Sequence, residues 1–364
     1  MHILAIVCEN GLGHFKRMTG LLWAWCEKYP DTRIDLVAEQ WQLDLTGDWD
    51  KTAIYHRSGN RVFTGITAPG VRWSQDVSIF DSGQLTNWED RLLEVDSLQT
   101  ADLVLSDNLV GVLHHRPDAI LIGSFLWSEV LKQKFPKSPV IQRFADRELA
   151  LLQAQKPYML GVEPLIIPEI RSAAKAFGFP WFGQADKRSR RQFRGIQRIA
   201  ILAGATTAAQ EELEQTLQIL LQKPGLEIAL PDRLIPKLQL AATDRIVPFG
   251  FELVDFEACD LVFCRPGVGT LTDCVVTNTP MVLFYEPGNY EMIHNARQLE
   301  KAGIAVNLGA QFDGAQLLEV VERFEAEETY QTFQDHLAAQ ATNGYPKIVE
   351  WLAVHSHKMT NHAH

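Results

Sequence analysis

The sequence has few cysteines, no long apolar run and a deficit of positive charge, and each shortage closes off a class of protein. Its five cysteines, Cys8, Cys26, Cys259, Cys264 and Cys274, are odd in number and contain no Cys-x-x-Cys pair. That pattern fits neither a disulfide framework nor a structural zinc site, and points to a reducing, cytoplasmic setting. No segment approaches the roughly 18 uninterrupted apolar residues that a membrane-spanning helix needs. The first apolar run, His2 to Cys8, has no basic region before it and meets Glu9, Asn10 and Gly11 too early for a secretory signal. Thirty-four Lys and Arg against 45 Asp and Glu leave a formal charge of −11. Such a field repels phosphate backbones, so no nucleic-acid partner is expected.

What is present can fill two cores: 364 residues, 46% of them hydrophobic. Short β-rich runs alternate with helix-length amphipathic stretches, the pattern of a parallel sheet covered on both faces, and the pattern occurs twice. The first series places strands at 2–8, 33–38, 52–56, 102–106 and 119–122, with a helix near 15–28. The second places strands at 198–202, 227–230, 244–247, 261–263, 281–284 and 305–307, with helices near 208–222, 254–258, 269–277 and 291–302. A basic run from Lys187 to Arg194 reads as a solvated linker, a phosphate-facing or membrane-facing patch being its alternative. The expected class is α/β: two doubly wound Rossmann-like domains, 1–185 and 198–340, facing across a cleft, with a linker at 186–197. Residues 341–364 complete the chain as a helix and a frayed tail whose four histidines lack the fixed spacing of a metal site.

Two segments carry chemistry. Gly11-Leu12-Gly13-His14 follows the first strand and opens a helix, so its glycines let an anionic ligand approach the backbone closely. A dinucleotide fingerprint would need a third glycine where Lys16 stands, which argues against nicotinamide chemistry. His14 lies in the first helical turn, where the helix dipole favours a neutral, proton-accepting ring suited to a general base, a structural hydrogen-bonding role being its alternative. In a sheet ordered 3-2-1-4-5, strands one and four are neighbours, so Asp107, expected just past strand four, either orients His14 or caps the next helix.

The second segment runs from Arg265 to Asn295. In Arg265-Pro266-Gly267-Val268-Gly269-Thr270 two glycines and a hydroxyl residue open a helix whose backbone N–H groups suit a diphosphate without a net positive protein. Arg265 either adds charge-assisted contacts or pairs with a neighbouring acid. Asp273 either accepts hydrogen bonds from a ribose diol or is solvated on the helix surface. Asn289, Glu291 and Asn295 are candidates for sugar hydroxyls, with capping and packing as the alternatives for the two asparagines. The aromatic stretch Phe125-Leu126-Trp127 is read as core, a lipid acceptor or membrane surface being the other reading.

The run from Arg265 to Asp273, with Pro287-Gly288-Asn289-Tyr290-Glu291 and His294-Asn295-Ala296-Arg297-Gln298-Leu299-Glu300, resembles the C-terminal domain of family 28 glycosyltransferases, which have the GT-B fold. That group includes the transferase that adds N-acetylglucosamine to the lipid-linked peptidoglycan precursor. Gly11-Leu12-Gly13-His14-Phe15-Lys16-Arg17 is similar to the G-x-G-H-x-x-R signature of the UDP-sugar hydrolase of pseudaminic acid synthesis.

The resemblance implies an acceptor-side first domain and a second domain that binds a nucleotide-sugar, usually UDP-linked. No metal is implied, because helix termini neutralise the leaving diphosphate. By carry-over, Gly11, Gly13 and Arg17 belong to the nucleotide-sugar site, Gly267, Gly269 and Thr270 meet phosphate, Asp273 the ribose and Glu291 the sugar. Backbone near Phe249 and Gly250 meets the base, and Gly204 belongs to the loop after the first strand of the second domain.

The expectation is therefore a cytoplasmic glycosyltransferase, possessing no cofactor beyond its donor substrate, that moves a hexosyl or N-acetylhexosaminyl group. The acceptor would be a glycan, a lipid-linked sugar or a small molecule, with peripheral contact to the inner face of the membrane left open. A nucleotide-sugar hydrolase and a non-catalytic binding protein are the alternatives.

Overall fold

A computed structural model of the chain describes residues 1–46, 60–66, 85–184, 192–202, 210–237 and 244–360. It divides into two compact units, Met1–Gln184 with Asn343–His364, and Ala185–Thr342. The strand expected at 52–56, Gly204 and most of the basic run after Lys187 lie outside the described residues.

The first unit is built on seven parallel strands, β1 His2–Ile6, β2 Arg33–Val37, β3 Arg61–Phe63, β4 Leu103–Asp107, β5 Ile120–Ile122, β6 Tyr158–Val162 and β7 Lys175–Phe179, ordered β3-β2-β1-β4-β5-β6-β7. Its helices are α1 Leu12–Lys28, α2 Gln40–Thr46, α3 Asn87–Arg91, α4 Trp127–Lys134, α5 Pro139–Gln155 and α6 Pro168–Ala173. Strand β1 is apolar without alternation because both faces are covered, and Ile3 through Ile6 are fully buried. It pairs with β2 on one side and β4 on the other, Ile6 lying beside both Val37 and Ser106. Strand order reverses between β1 and β4, and the crevice beyond the carboxyl ends of such strands is where open α/β sheets receive ligands.

Three strands escape the sequence reading, β3, β6 and β7, and glycine explains the last two. Gly161 in β6 faces the Gly123 carbonyl so closely that a methyl there would lie 2.7 Å from it, and a side chain on Gly178 in β7 would run into Glu163. Strands that need glycine for close approach lose the unbroken apolar run by which a strand is recognised.

The second unit repeats the plan with β8 Arg198–Leu202, β9 Glu227–Pro231, β10 Ile246–Phe249, β11 Leu261–Cys264, β12 Met281–Phe284 and β13 Ala305–Gly309, ordered β10-β9-β8-β11-β12-β13. Its helices are α7 Gln210–Leu220, α8 Leu253–Ala258, α9 Val268–Val276, α10 Tyr290–Lys301, α11 Gly314–Phe324 and α12 Glu327–Ala338. Ile199, Phe263, Val282, Leu317, Phe324 and Tyr330 share one buried cluster of sheet and helix residues. The switch point here lies between β8 and β11, where Leu202 pairs with Cys264, so the turn leading into α9 starts at that crevice. Relative to the sequence reading, β10 begins two residues later, at Ile246.

A last helix, α13 Gly344–Thr360, rejoins the first unit and lies against α1 and β7. The Gly344 N–H donates to the Trp181 carbonyl at 2.9 Å, anchoring the start of α13. Among the described residues, no helix is long and apolar enough to cross a membrane.

Candidate active site

In the first unit the chain leaves β1 through Cys8-Glu9-Asn10 and turns at Gly11, whose φ of 107° requires glycine. Helix α1 starts at Leu12, so Gly13 and His14 occupy its first turn. The turn is held from α2 by Gln42, a residue the sequence did not single out; its Nε2 donates to the carbonyls of Cys8 at 3.0 Å and Gly11 at 3.2 Å. Glu9, in the same loop, has its carboxyl pushed up to about 7 by burial and by the neighbouring Glu39 charge.

Asp107 is the last residue of β4 instead of lying past it, and Asn108 then turns the chain with a φ of 60°. The Asp107 carboxylate is fully buried and sits 2.6 Å from His14 Nδ1. Arg17, one turn further along α1, donates to the same carboxylate from Nε at 3.0 Å and from Nη2 at 2.6 Å. It is 5% exposed. Expected among the nucleotide-sugar contacts, Arg17 is thus engaged as the counter-charge of Asp107. Burial pushes the Asp107 carboxyl up, but the Arg17 and His14 charges and hydrogen bonds outweigh it and hold the group below the usual carboxylate range.

Arg17 Nη2 also lies 3.1 Å from His14 Nδ1. A guanidinium only donates and a carboxylate only accepts, so Nδ1 can serve one of them; the shorter contact assigns its proton towards Asp107. Nε2 is then the proton-accepting nitrogen. Phe125 and Trp127 pack their rings at 6.1 Å from the imidazole, one edge-on and the other tilted. Phe125 is buried and Trp127 half-buried, so the aromatic stretch forms a wall beside His14.

In the second unit β11 ends at Cys264 and Gly267 caps α9 with φ −76° and ψ 138°, angles open to any residue. A methyl on Gly267 would meet only Met292 Cε, at 3.8 Å. Neither backbone angle nor packing calls for glycine at this position. No side chain caps the helix, and the first intrahelical bond runs from Leu271 N–H to the Gly267 carbonyl at 3.0 Å. The N–H groups of Val268, Gly269 and Thr270 precede that bond and are the donors a helix offers to an anion. Asp273 lies further along α9 and is half-buried.

Around this mouth the other candidates divide. Arg265 is bonded to Glu286 Oε2 from Nε at 3.1 Å and Nη2 at 2.7 Å, the acid-paired alternative. Asn289 caps α10, accepting from the Met292 N–H at 3.4 Å, and Glu291 stands in the first turn of that helix. Asn295 is buried and donates to the Pro266 carbonyl at 2.8 Å. It therefore braces the turn that presents Gly267. Phe249 ends β10 buried against Phe251 and Phe256, and Gly250 follows with Asp255 beside it.

Residues 246–350 match the glycosyltransferase family 28 C-terminal domain, which spans the Phe249 turn, the α9 mouth and α10. Among solved structures, the chain is similar to the glycotransferase of kitacinnamycin, with a TM-score of 0.63 at 15% identity, covering 97% of this chain and 98% of that one. It is similar also to the spinosyn rhamnosyltransferase SpnG complexed with thymidine diphosphate, with a TM-score of 0.63 at 18% identity over 97% of this chain and all of that one. VinC, a glycosyltransferase in complex with dTDP, gives a TM-score of 0.62 at 12% identity over 98% of this chain and 100% of its own. A search of curated proteins finds no match. Residues 246–350 thus match the family 28 C-terminal domain, and the two Rossmann-like halves share the GT-B fold of these solved structures.

Proposed function

We propose that the chain transfers a sugar from a nucleoside-diphosphate donor, UDP-linked, to an acceptor hydroxyl, with no metal required. The observation that carries this reading is that the residues matching the family 28 domain include an uncapped, glycine-led helix start at Gly267–Thr270. Three leading N–H groups and the positive end of α9 suit a leaving diphosphate, whose charge builds up as the bond to the sugar breaks. Asp273 is the proposed ribose contact, Glu291 the sugar contact, and the backbone at Phe249 and Gly250 the proposed site for the base.

His14 is the proposed general base. The acceptor O–H proton passes to Nε2, the oxygen lone pair forms the bond to the anomeric carbon, and the bond from that carbon to the diphosphate oxygen breaks. Asp107 holds the Nδ1 proton and stabilises the imidazolium that results, while Arg17 keeps Asp107 ionised. The group transferred is proposed to be hexosyl or N-acetylhexosaminyl. A cytoplasmic site of action fits the five free cysteines.

A thermal-shift panel of UDP, GDP and dTDP, followed by consumption of the UDP-sugar with and without an acceptor, tests the assignment. UDP at a hundredfold excess over its Kd is expected to stabilise the fold by about 2.7 kcal/mol. Sugar is expected to leave the donor only when acceptor is present. A larger response to dTDP would overturn the choice of base alone. Rapid release of free sugar without acceptor would replace transfer by hydrolysis, with water taking the acceptor's place at His14.

A further inference from the structure

A cavity of about 470 Å³, solvent mouth included, lies within the first unit beside the loops that form the His14 site. Its wall includes Asn10 from the β1 turn, the aromatic rings of Trp88, Trp127 and Phe144, and two acids, Glu89 and Glu148. Trp127 belongs to both places, lining this cavity and packing on His14. Among the described residues, no Lys or Arg lines the cavity.

The two acids are not equivalent. Glu89, on α3, is bonded through both oxygens to the Arg147 guanidinium of α5, and His114 lies 3.6 Å from it. Arg147 answers part of its charge, although burial still pushes the Glu89 carboxyl up to about 7. Glu148, also on α5, is 5% exposed and accepts from the Ser128 N–H of α4 at 3.0 Å. Its remaining neighbours by charge are acids, Glu89 of α3 and Glu129 of α4, and Glu129 is paired with Lys132. Among the described residues Glu148 has no ion-pair partner. Capping α4 needs only a neutral oxygen, whereas a glutamate buried among aromatic rings carries a desolvation cost that a cation would offset. Aromatic walls favour the same kind of ligand, since ring faces attract ammonium groups.

We infer that this cavity is the acceptor pocket, and that it selects an acceptor bearing a protonated amine, which pairs with Glu148 while the acceptor's hydroxyl group is presented to His14. The inference rests on the transfer reading above only in naming the bound amine as the acceptor. Burial and the surrounding acids push the Glu148 carboxyl up to about 7 against the pull of Ser128. Near neutral pH the empty pocket therefore holds a proton on Glu148 about half the time, and an incoming ammonium displaces it to solvent.

Phenethylamine and its neutral counterpart 2-phenylethanol test this on the full chain without donor, binding being read by calorimetry. The amine is expected to bind at least about tenfold more tightly than the alcohol, and Glu148→Gln is expected to erase the difference while leaving the response to UDP unchanged. In the unsubstituted protein, heats measured in buffers of unlike ionisation enthalpy should show close to one proton released per amine at pH 6 and almost none at pH 8. That second readout decides the matter if Glu148→Gln does not fold. Equal binding of the two compounds, a preference that survives in folded Glu148→Gln, no proton release, or no binding of either at about 10 mM would each overturn the inference. Amine binding without a UDP response would leave the pocket standing and remove the transfer reading; a UDP response without amine binding would do the reverse.

Discussion

His14→Ala is expected to slow sugar transfer by about 10²–10⁴-fold, the range over which a positioned general base acts. Donor affinity should change little, because the proposed phosphate donors belong to α9 and not to α1. The split between the two effects is informative. A residue that only bound donor would raise KM and spare kcat, whereas loss of a base lowers kcat at saturating donor. Turnover in His14→Ala equal to that of the unsubstituted protein would remove the base from the mechanism. Asp107→Asn supplies a second reading of the same pair, since an amide keeps the shape but can no longer stabilise an imidazolium, and it too should lower kcat.

Asp107→Ala is expected to cost about 3–5 kcal/mol of folding stability, the largest effect foreseen for any single change in the first unit. The reason is Arg17. Its guanidinium is buried and bonded through two nitrogens to the Asp107 carboxylate, so removing the acid takes the counter-charge from a buried cation. Denaturant unfolding measures the loss, and Asp107→Asn, which retains an acceptor oxygen, should lose less. A decrease under about 1 kcal/mol in Asp107→Ala would show that Arg17 finds another partner. The same pair sets a pH dependence. The native Asp107 carboxyl lies below its unfolded value of about 3.9, so the folded state binds fewer protons than the unfolded one in acid. Its contribution is complete above about pH 5 and is lost as pH falls through the lower native value.

Legibility from sequence followed the physics of each element. Strands β8 and β12 are short apolar runs between turn residues, and their limits in the structure, Arg198–Leu202 and Met281–Phe284, are those the sequence suggests. Strands β6 and β7 were hidden by Gly161 and Gly178, where the backbone approaches a neighbour and no side chain fits. Within the site, strand order brings His14 and Asp107 near each other, because β1 and β4 are adjacent in the sheet, but it does not choose between their contact and a helix cap. The engagement of Arg17 did not, since a guanidinium beside a glycine turn suits a phosphate as well as a carboxylate. Asn295 shows the same limit: an amide one turn into a helix can reach a sugar hydroxyl or the Pro266 carbonyl, and only coordinates choose. Glu148 was out of reach for a further reason, and Trp127, noted only as part of an aromatic stretch, shares it: periodicity gives the buried face of a helix but not which cavity that face borders.

The central claim is that the backbone at Gly267–Thr270 receives a diphosphate, and Gly267→Ala tests it most directly. The angles at Gly267 suit alanine and the added methyl would touch only Met292 Cε, so the melting temperature without ligand should stay where it is. The stabilisation by UDP, however, should fall by most of its value, because the methyl occupies the space a phosphate oxygen needs to reach the α9 N–H groups. UDP stabilising Gly267→Ala as strongly as the unsubstituted chain would contradict the claim.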